Sequence, residues 1–565
     1  MCMNGFFRMF GSFAPNFFLA SQASSTVLIA LLIYSGYLIG YTHMHPWLMW
    51  IYWINPMAYS FKAMFSNEMH GNYFTCIGPG NSVPSGPAYE DVDQAYKACS
   101  IPGAQPGDDA VLGDNYLKLK YGYNTWERWI DFVAVVLFFL LFTVVTALSM
   151  EYLSIGSGGG SQVKVYKRNR APTEDAEALA KKRLAQKNEN FEAVTDGTTF
   201  SWQHIDYTVP VKGGTRQLLC DVGGIVRPGH LTALMGSSGA GKTTLLDVLS
   251  QRKTIGKIEG RMYMNSEKLF SDFERITGYC EQMDIHNPNA TVREALKFSA
   301  YLRQPADVPK AEKDAYVEQI IELLEMENVA DALIGTASSN KGISVEERKR
   351  LTIGVELVAK PKLLFLDEPT SGLDAQSSFN IVRFIRKLAD AGWPVLCTIH
   401  QPSATLFSYF DHILLLVRGG RTAYHGEIGE DSKVMINYFE SNGASKCSPS
   451  ANPAEYILEV VGAGTAGVAQ ADWAEIWENS KEAKALQEEL EKIHNEVDQN
   501  QNKKPNTYSL NFFQQFWLVY KRMNVSYWRS PSYNVGRLIK VVFVALLSGF
   551  SFWKLSDAAV DMENR

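Results

Sequence analysis

Two kinds of hydrophobic pattern divide the chain. Near the front, SSTVLIALLIYSGYLIGY (24–41) is 18 residues without a charge and FVAVVLFFLLFTVVTALSM (132–150) is another 19. At about 1.5 Å per residue, each nearly crosses the ~30 Å hydrocarbon layer of a bilayer, and each predicts a membrane-spanning helix. A third run, VVFVALLSGFSFW (541–553), is long enough if the chain enters near Val535 and Lys540 faces an interface or protein. From about residue 201 the pattern changes. Short apolar strands lead into amphipathic helices: LTALMG then KTTLLDVLSQR, LLFLDEP then SSFNIVRFIRKLADAG, then PVLCTIH. That alternation predicts a doubly wound α/β sheet, and the helical pattern between 291 and 350 predicts an inserted helical subdomain.

The stretches between these runs are read by composition. MHPWLMWIYWINPMAYSFKAMF sets Trp47, Trp50, Tyr52, Trp53 and Tyr59 beside Pro46 and Pro56. It predicts either a short element re-entering or lying in the membrane interface, or an ordinary aromatic belt. Residues 155–200 open with IGSGGGSQ and have linker composition. WAEIWENSKEAKALQEELEKIHNEV predicts a charged, solvated helix, and LNFFQQFWLVYKRMNVSYWRS an amphipathic helix along the cytoplasmic membrane face.

Composition sharpens this picture at three points. The averages of 46% hydrophobic and 20% charged residues conceal the segregation, and a net charge of −6 gives no reason to expect a nucleic-acid partner. The segment after Met1 has no basic n-region or small-residue cleavage site, so no cleaved leader is expected. Lys164, Lys167, Arg168, Arg170, Lys181, Lys182, Arg183 and Lys187 follow the second run, whereas the 71–125 loop carries three lysines against six acids. The positive-inside rule therefore places 154–530 in the cytoplasm and 71–125 outside. Cys76 and Cys99 in the external loop are candidates for a disulfide. Cys220, Cys280, Cys397 and Cys447 lack metal-ligand spacing and are expected to be packing residues.

The chemistry is carried by two motifs in order. GSSGAGKTT runs through Gly236, Ser237, Ser238, Gly239, Ala240, Gly241, Lys242, Thr243 and Thr244, directly after a strand and opening a helix. Glycines let the backbone wrap phosphates, the helix N-terminus aims amides at them, Lys242 meets the β and γ charges, and Thr243 is placed to ligate Mg²⁺. LLFLDEP then ends a buried strand in Asp367, expected to hold Mg²⁺ through a water, and Glu368, expected to polarise the attacking water. With that order in place, Gln282 in GYCEQMD is expected to sense metal and water, and His400 to donate to the γ-phosphate.

GSSGAGKTT, GYCEQMD, ERKRLTIGVELVAKPKLLFLDEPTSGLD and CTIHQPS together resemble the nucleotide-binding domain of an ATP-binding cassette transporter. The likeness is to the second such domain of the fungal pleiotropic drug resistance transporters, and it extends through NPAEYILEVVG (452–462) to both membrane flanks. The resemblance implies ATP and Mg²⁺ as ligands, with Gly236–Thr244 as Walker A, Gln282 as Q-loop, Asp367 and Glu368 as Walker B, Ser371, Gly372, Leu373 and Asp374 as D-loop, and His400 as switch histidine. An adenine-stacking aromatic is expected upstream, with Tyr207 as the candidate.

It also implies a domain plan. Residues 1–153 end a first transmembrane domain, 154–195 form a cytosolic linker, and 196–430 form the α/β P-loop nucleotide-binding domain. A family-specific extension with the charged helix follows at 431–507, an interfacial helix at 508–533, and the first span of a second transmembrane domain at 534–565. On this plan the chain is the central part of a full transporter, multi-pass and at the plasma membrane, that exports hydrophobic drugs or lipids. Its partners are the lipid membrane, the hydrophobic small-molecule substrate and an N-terminal nucleotide-binding domain not in this chain; alone it is expected to be poorly active. The alternatives are a catalytically incompetent nucleotide-binding fragment and a soluble-type ABC ATPase; the front spans and the absence of a basic surface oppose the latter.

One stretch departs from the family pattern. In GISVEERKRLTIG (342–354) the signature loop keeps Ser344 but carries Val345, Glu346 and Glu347 after it, with a branched residue and an acid where glycines are expected. Bulk at Val345 and negative charge at Glu346 are each unfavourable to a facing triphosphate. The loop is expected to serve a weak or non-hydrolysing pocket, while the Walker motifs of the same domain serve the other.

Overall fold

The computed structural model describes residues 1–14, 17–41, 44–75, 82–83, 93, 98–99, 101–104, 110–153, 164–166, 197–265, 267–269, 272–336, 341–449, 451–462, 471–495 and 508–553. The expected linker at 154–195 lies outside these residues save for 164–166. Cys76 lies outside them too, while Cys99 is buried and disulfide-bonded. The chain divides into two compact units, Met1–Ser157 with Tyr527–Arg565, and Gly158–Ser526.

The first unit is mostly helical, with two short antiparallel strand pairs, Tyr73–Thr75 with Ala110–Leu112 and Ser82–Val83 with Ala98–Cys99. Helix α1 (Cys2–Phe13) sets Phe6 against Phe142 of the long helix that closes the front segment, and α2 (Phe17–Ile33) is joined to helix Pro531–Ser551 by a Tyr34–Ser551 hydroxyl pair at 2.7 Å. Lys540 donates to Ser25 Oγ at 2.8 Å, so its ammonium meets protein. Among the described residues, two helical stretches, Thr125–Tyr152 and Tyr533–Ser551, are long and apolar enough to cross a membrane.

The run 24–41 is not one helix. Its helix starts earlier, at Phe17, and stops at Ile33. The break is a matter of backbone geometry: Gly36 adopts φ +87°, and a Cβ there would sit 2.3 Å from the Tyr123 hydroxyl. Asn55, fully buried, repairs the open helix end. Its Nδ2 donates to the carbonyls of Leu31 (2.7 Å) and Tyr34 (3.0 Å), while its Oδ1 caps α3 (Pro56–Met69) by accepting from Met57 N. Between these elements lies only a four-residue helix, Trp50–Trp53. The span 132–150 forms as expected within α4 (Arg128–Tyr152).

The second unit is the α/β domain. In chain order it runs β1 (Phe200–Val211), β2 (Gly214–Val226), β3 (Leu231–Gly236), α5 (Lys242–Leu249), β4 (Lys257–Met264), β5 (Glu267–Lys268) and β6 (Thr277–Cys280). The inserted helical subdomain follows as α6 (Val292–Arg303), α7 (Lys310–Leu323) and α8 (Val345–Leu357). The chain returns as β7 (Leu363–Leu366), α9 (Ala375–Asp390), β8 (Val395–Thr398), β9 (His412–Val417) and β10 (Arg421–Glu427). Six strands form one sheet in the order β6-β7-β8-β3-β9-β10, parallel except for the last pair, and β2-β1-β4-β5 form a separate antiparallel sheet.

Both faces of the parallel sheet are covered, which is why its strands read as unbroken apolar runs. On β3, Leu231, Ala233 and Met235 join the core shared with Ile381, Phe384 and Leu388 of α9. Leu234 faces the opposite core with Leu246 of α5 and Phe200 and Trp202 of β1.

The C-terminal extension departs from the expected solvated helix. It forms α10 (Trp473–Asn479) and α11 (Lys481–Asn495), and one face of the pair is buried. Trp473 donates to the Val460 carbonyl at 3.0 Å, and Leu490 and His494 are 2% and 7% exposed. The His494 ring lies 4.1 Å from that of Tyr263 and its Nε2 meets Ser201 Oγ at 3.2 Å. The charges in that stretch occupy only the outer face. Helix α12 (Phe512–Trp528) places the Arg522 guanidinium 3.9 Å from the Phe298 ring centroid and leaves Phe512, Phe513, Phe516 and Trp517 exposed.

Candidate functional site

Strand order assembles the site. β6, β7, β8 and β3 are adjacent and parallel, so their carboxyl ends lie in a row along one edge of the sheet. Gln282 follows β6, Asp367 and Glu368 follow β7, His400 follows β8, and the Gly236–Thr244 loop follows β3 into α5. Open α/β sheets bind ligands at this edge.

The loop is shaped for an anion. Gly241 adopts φ +100°, a left-handed conformation that side-chain-bearing residues resist, and its carbonyl accepts the first helical bond, from Leu245 N at 2.7 Å. The amides of Lys242, Thr243 and Thr244 precede that bond and so have no intrahelical acceptor. Ser237 Oγ is buried in the loop with no hydrogen-bond partner. The Lys242 ammonium folds back on the carbonyls of Gly236 (2.9 Å) and Ser237 (3.1 Å). Burial pushes its pKa below the usual lysine value, against the pull of Glu368 and Asp367. Unpaired amides, an unsatisfied hydroxyl and a partly desolvated cation are together what a polyphosphate would satisfy.

The acidic half is held by hydroxyls. Asp367 Oδ1 accepts from Thr398 at 2.8 Å and lies 3.4 Å from Thr243 Oγ1. Burial raises its pKa, Thr398 opposes the rise, and the neighbouring Glu368 charge adds to it. A divalent cation would relieve that accumulation, and the hard oxygens of Thr243 and Asp367 suit Mg²⁺, which keeps most of its coordination for water and phosphate. No group of three or more His, Cys, Asp or Glu placed to hold a metal ion occurs among the described residues. Glu368 adopts φ +45° and its backbone N–H donates to Thr398 Oγ1 at 2.6 Å. Gln282 Nε2 donates to Glu368 Oε2 at 2.7 Å and lies 3.5 Å from Ser371 Oγ. Five of the expected residues, Lys242, Thr243, Asp367, Glu368 and Gln282, thus converge. Asp374 caps α9 by accepting from Ser377 N, and Gly372 turns the D-loop at φ +76°. His400 stands exposed two residues beyond β8.

One site expectation needs correction. Tyr207 is 3% exposed, packs in the core between the two sheets, and donates its hydroxyl to the Ile255 carbonyl at 2.6 Å. It is a core residue of β1 with no ring face open to an adenine. The negative charge of Glu346 is partnered within its own domain: its Oε1 accepts from Arg350 at 2.9 Å and from Asn380 at 3.3 Å. Ser344 and Glu347 form a capping box, Ser344 Oγ accepting from Glu347 N and Glu347 Oε2 from Ser344 N. The S-x-x-E spacing carried that signal. Val345 remains 45% exposed as a bulky apolar group on the first turn. Thr398, which ties Asp367 to Glu368, had no motif to announce it.

Comparisons with known proteins agree on one family. An ABC transporter family model matches residues 219–371, a CDR ABC transporter model 83–175, and ABC-2 type transporter models 1–69 with 514–565 and, separately, 400–507. ABC transporter G family member 21 of Dictyostelium discoideum is 48% identical over 567 residues, 99% of this chain and 39% of its own length. Over 99% of its length the chain is similar to ABC transporters. The ABC multidrug transporter G of Aspergillus fumigatus is 46% identical over 567 residues, covering 100% of this chain and 41% of its own. The chain therefore spans about two fifths of the length of the curated relatives it matches. Among solved structures, a dimeric bacterial ABC transporter cassette aligns with 41% of this chain and 99% of its own at 18% identity and a TM-score of 0.35. The matched models set an ABC transporter segment between two ABC-2 type transporter segments.

Proposed function

We propose that this chain binds ATP on the Gly236–Thr244 loop and hydrolyses it with Glu368 as base, as the second nucleotide-binding domain of a longer transporter that exports hydrophobic drugs or lipids. The observation that carries the reading is the contact of Gln282 with Glu368 at 2.7 Å, beside Asp367 and Thr243. That geometry orients a carboxylate and an amide toward one water next to the phosphate loop. Glu368 takes the proton of the attacking water, Gln282 orients that water, and Lys242 holds the charge that develops on the leaving phosphates. Thr243 and Asp367 would hold Mg²⁺, which would supply neutralisation of the phosphate charge when bound. His400 completes the site when nucleotide reaches it.

The pocket closes only against a second domain. We assign that role to an N-terminal nucleotide-binding domain whose signature loop would cover these Walker motifs, with the membrane segments moving as the two domains close. The plasma membrane is the expected site of action. The purified chain should bind ATP yet hydrolyse it at least about tenfold more slowly than the full-length protein, because donors aimed at the transferring phosphate are missing. Equal turnover per site in both, measured by phosphate release, would remove the two-domain pocket. In the full-length protein, Thr398→Val is expected to lower kcat about tenfold with little loss of shape, because Asp367 and the Glu368 N–H lose one shared hydroxyl. A Mg²⁺ titration of turnover checks it, and an unchanged kcat at every concentration counts against Thr398.

A further inference from the structure

The residues that follow the degenerate loop, Arg348, Lys349 and Arg350, read in sequence as a charged run, yet they are 6%, 2% and 9% exposed. Each donates to backbone carbonyls. Arg348 reaches Ile334 and Gly335, and Arg350 reaches Leu324, all within the helical subdomain. Lys349 alone reaches the segment after β6. Its Nζ donates to the Gln282 carbonyl at 2.9 Å and pairs with Asp284 at 3.0 Å. Thr352, one turn further along α8, donates to the same Asp284 oxygen at 2.6 Å, and His286 Nε2 lies 2.9 Å from Thr352 Oγ1. The side-chain amide of that same Gln282 donates to Glu368.

Gln282 lies outside regular structure, so neither a strand nor a helix fixes its backbone. A buried ammonium is tolerated only when paired and hydrogen-bonded, and here one of its acceptors is the residue that touches Glu368. We propose that Lys349 is a positioning residue for Gln282: the helix that begins at the degenerate loop aims, within its own domain, the amide that contacts Glu368. Helix α8 thereby keeps a role in its own domain's ATP pocket, whatever its first turn offers to a facing domain. The inference rests on the reading of Gln282 and Glu368 as the hydrolytic pair.

The test uses the full-length protein with Lys349→Met and Asp284→Asn combined, so that no lone charge is left buried, beside Glu368→Gln. The expected result is a kcat lowered about 10- to 100-fold, with ATP Kd within about threefold and an unchanged melting temperature. A merely structural role would lower Tm and ATP affinity together, and that outcome overturns the proposal. So does wild-type kcat in the folded double variant while Glu368→Gln is inactive. Full turnover in Glu368→Gln would instead overturn the hydrolytic reading itself. Should the double variant not fold, the near-isosteric Thr352→Val decides: a kcat fall of about threefold at constant Kd supports the proposal, and an unchanged kcat overturns it.

Discussion

Glu368→Gln in the full-length protein is expected to lower ATP turnover about 100- to 10,000-fold, the range that a positioned general base contributes. Nucleotide affinity should stay within a few-fold. The substitution removes a basic oxygen and little else: an amide at position 368 still offers Gln282 Nε2 an acceptor, and the backbone N–H still donates to Thr398 Oγ1. The residue's left-handed φ of +45° accompanies that backbone bond, and an amide side chain of the same length leaves both in place. Phosphate release and equilibrium ATP binding on the same preparation separate the two quantities. Wild-type turnover in this variant would remove Glu368 as the base.

Lys242→Ala is the second large effect, and its signature is a split between binding and folding. Loss of a charge-assisted contact to the terminal phosphates should weaken ATP binding about 10- to 100-fold. Stability without ATP should move the other way or hold. Burial has lowered the folded-state pKa of Lys242, so its charged form is less favourable in the folded protein than in the unfolded chain. Removing it takes away that unfavourable term together with the bonds to the Gly236 and Ser237 carbonyls. Thermal melts with and without ATP test both halves, because ligand-induced stabilisation follows RT ln(1 + [L]/Kd) and collapses when Kd rises. A variant that retains the full ATP-induced shift in Tm would exclude Lys242 from phosphate binding.

The site was legible in sequence where chemistry demands a spacing. A phosphate loop needs its glycines, lysine and hydroxyl within nine residues after a strand, and the row of strand ends then places Gln282, Asp367 and Glu368 without further information. What stayed hidden depends on contacts between distant segments. Thr398 looks like any residue of a buried strand until β8 pairs with β7 and turns its hydroxyl to Asp367. Tyr207 has the right residue type near the right place, but past the strand irregularity at His204 the alternation along β1 turns it inward with Ile205. Residues 473–495 seemed solvated because their charges are many, whereas Trp473, Trp477, Leu490 and His494 needed only one face to bury. The front apolar run counted as a single helix because hydropathy carries no sign of the Gly36 turn.

The conformation of Glu368 has a consequence for how such a protein changes under selection. A non-glycine residue at φ +45° costs of order 1 kcal/mol or more relative to a relaxed backbone, and the carboxylate adds charge beside the already disfavoured Asp367. Glycine would relieve the first burden and remove the second. Natural drift or laboratory breeding for heat resistance alone thus runs downhill toward a sturdier, silent pocket. On the reading of Glu368 as the base, only continued demand for turnover holds the acid in place, and a lineage freed from that demand should lose it before it loses its phosphate loop.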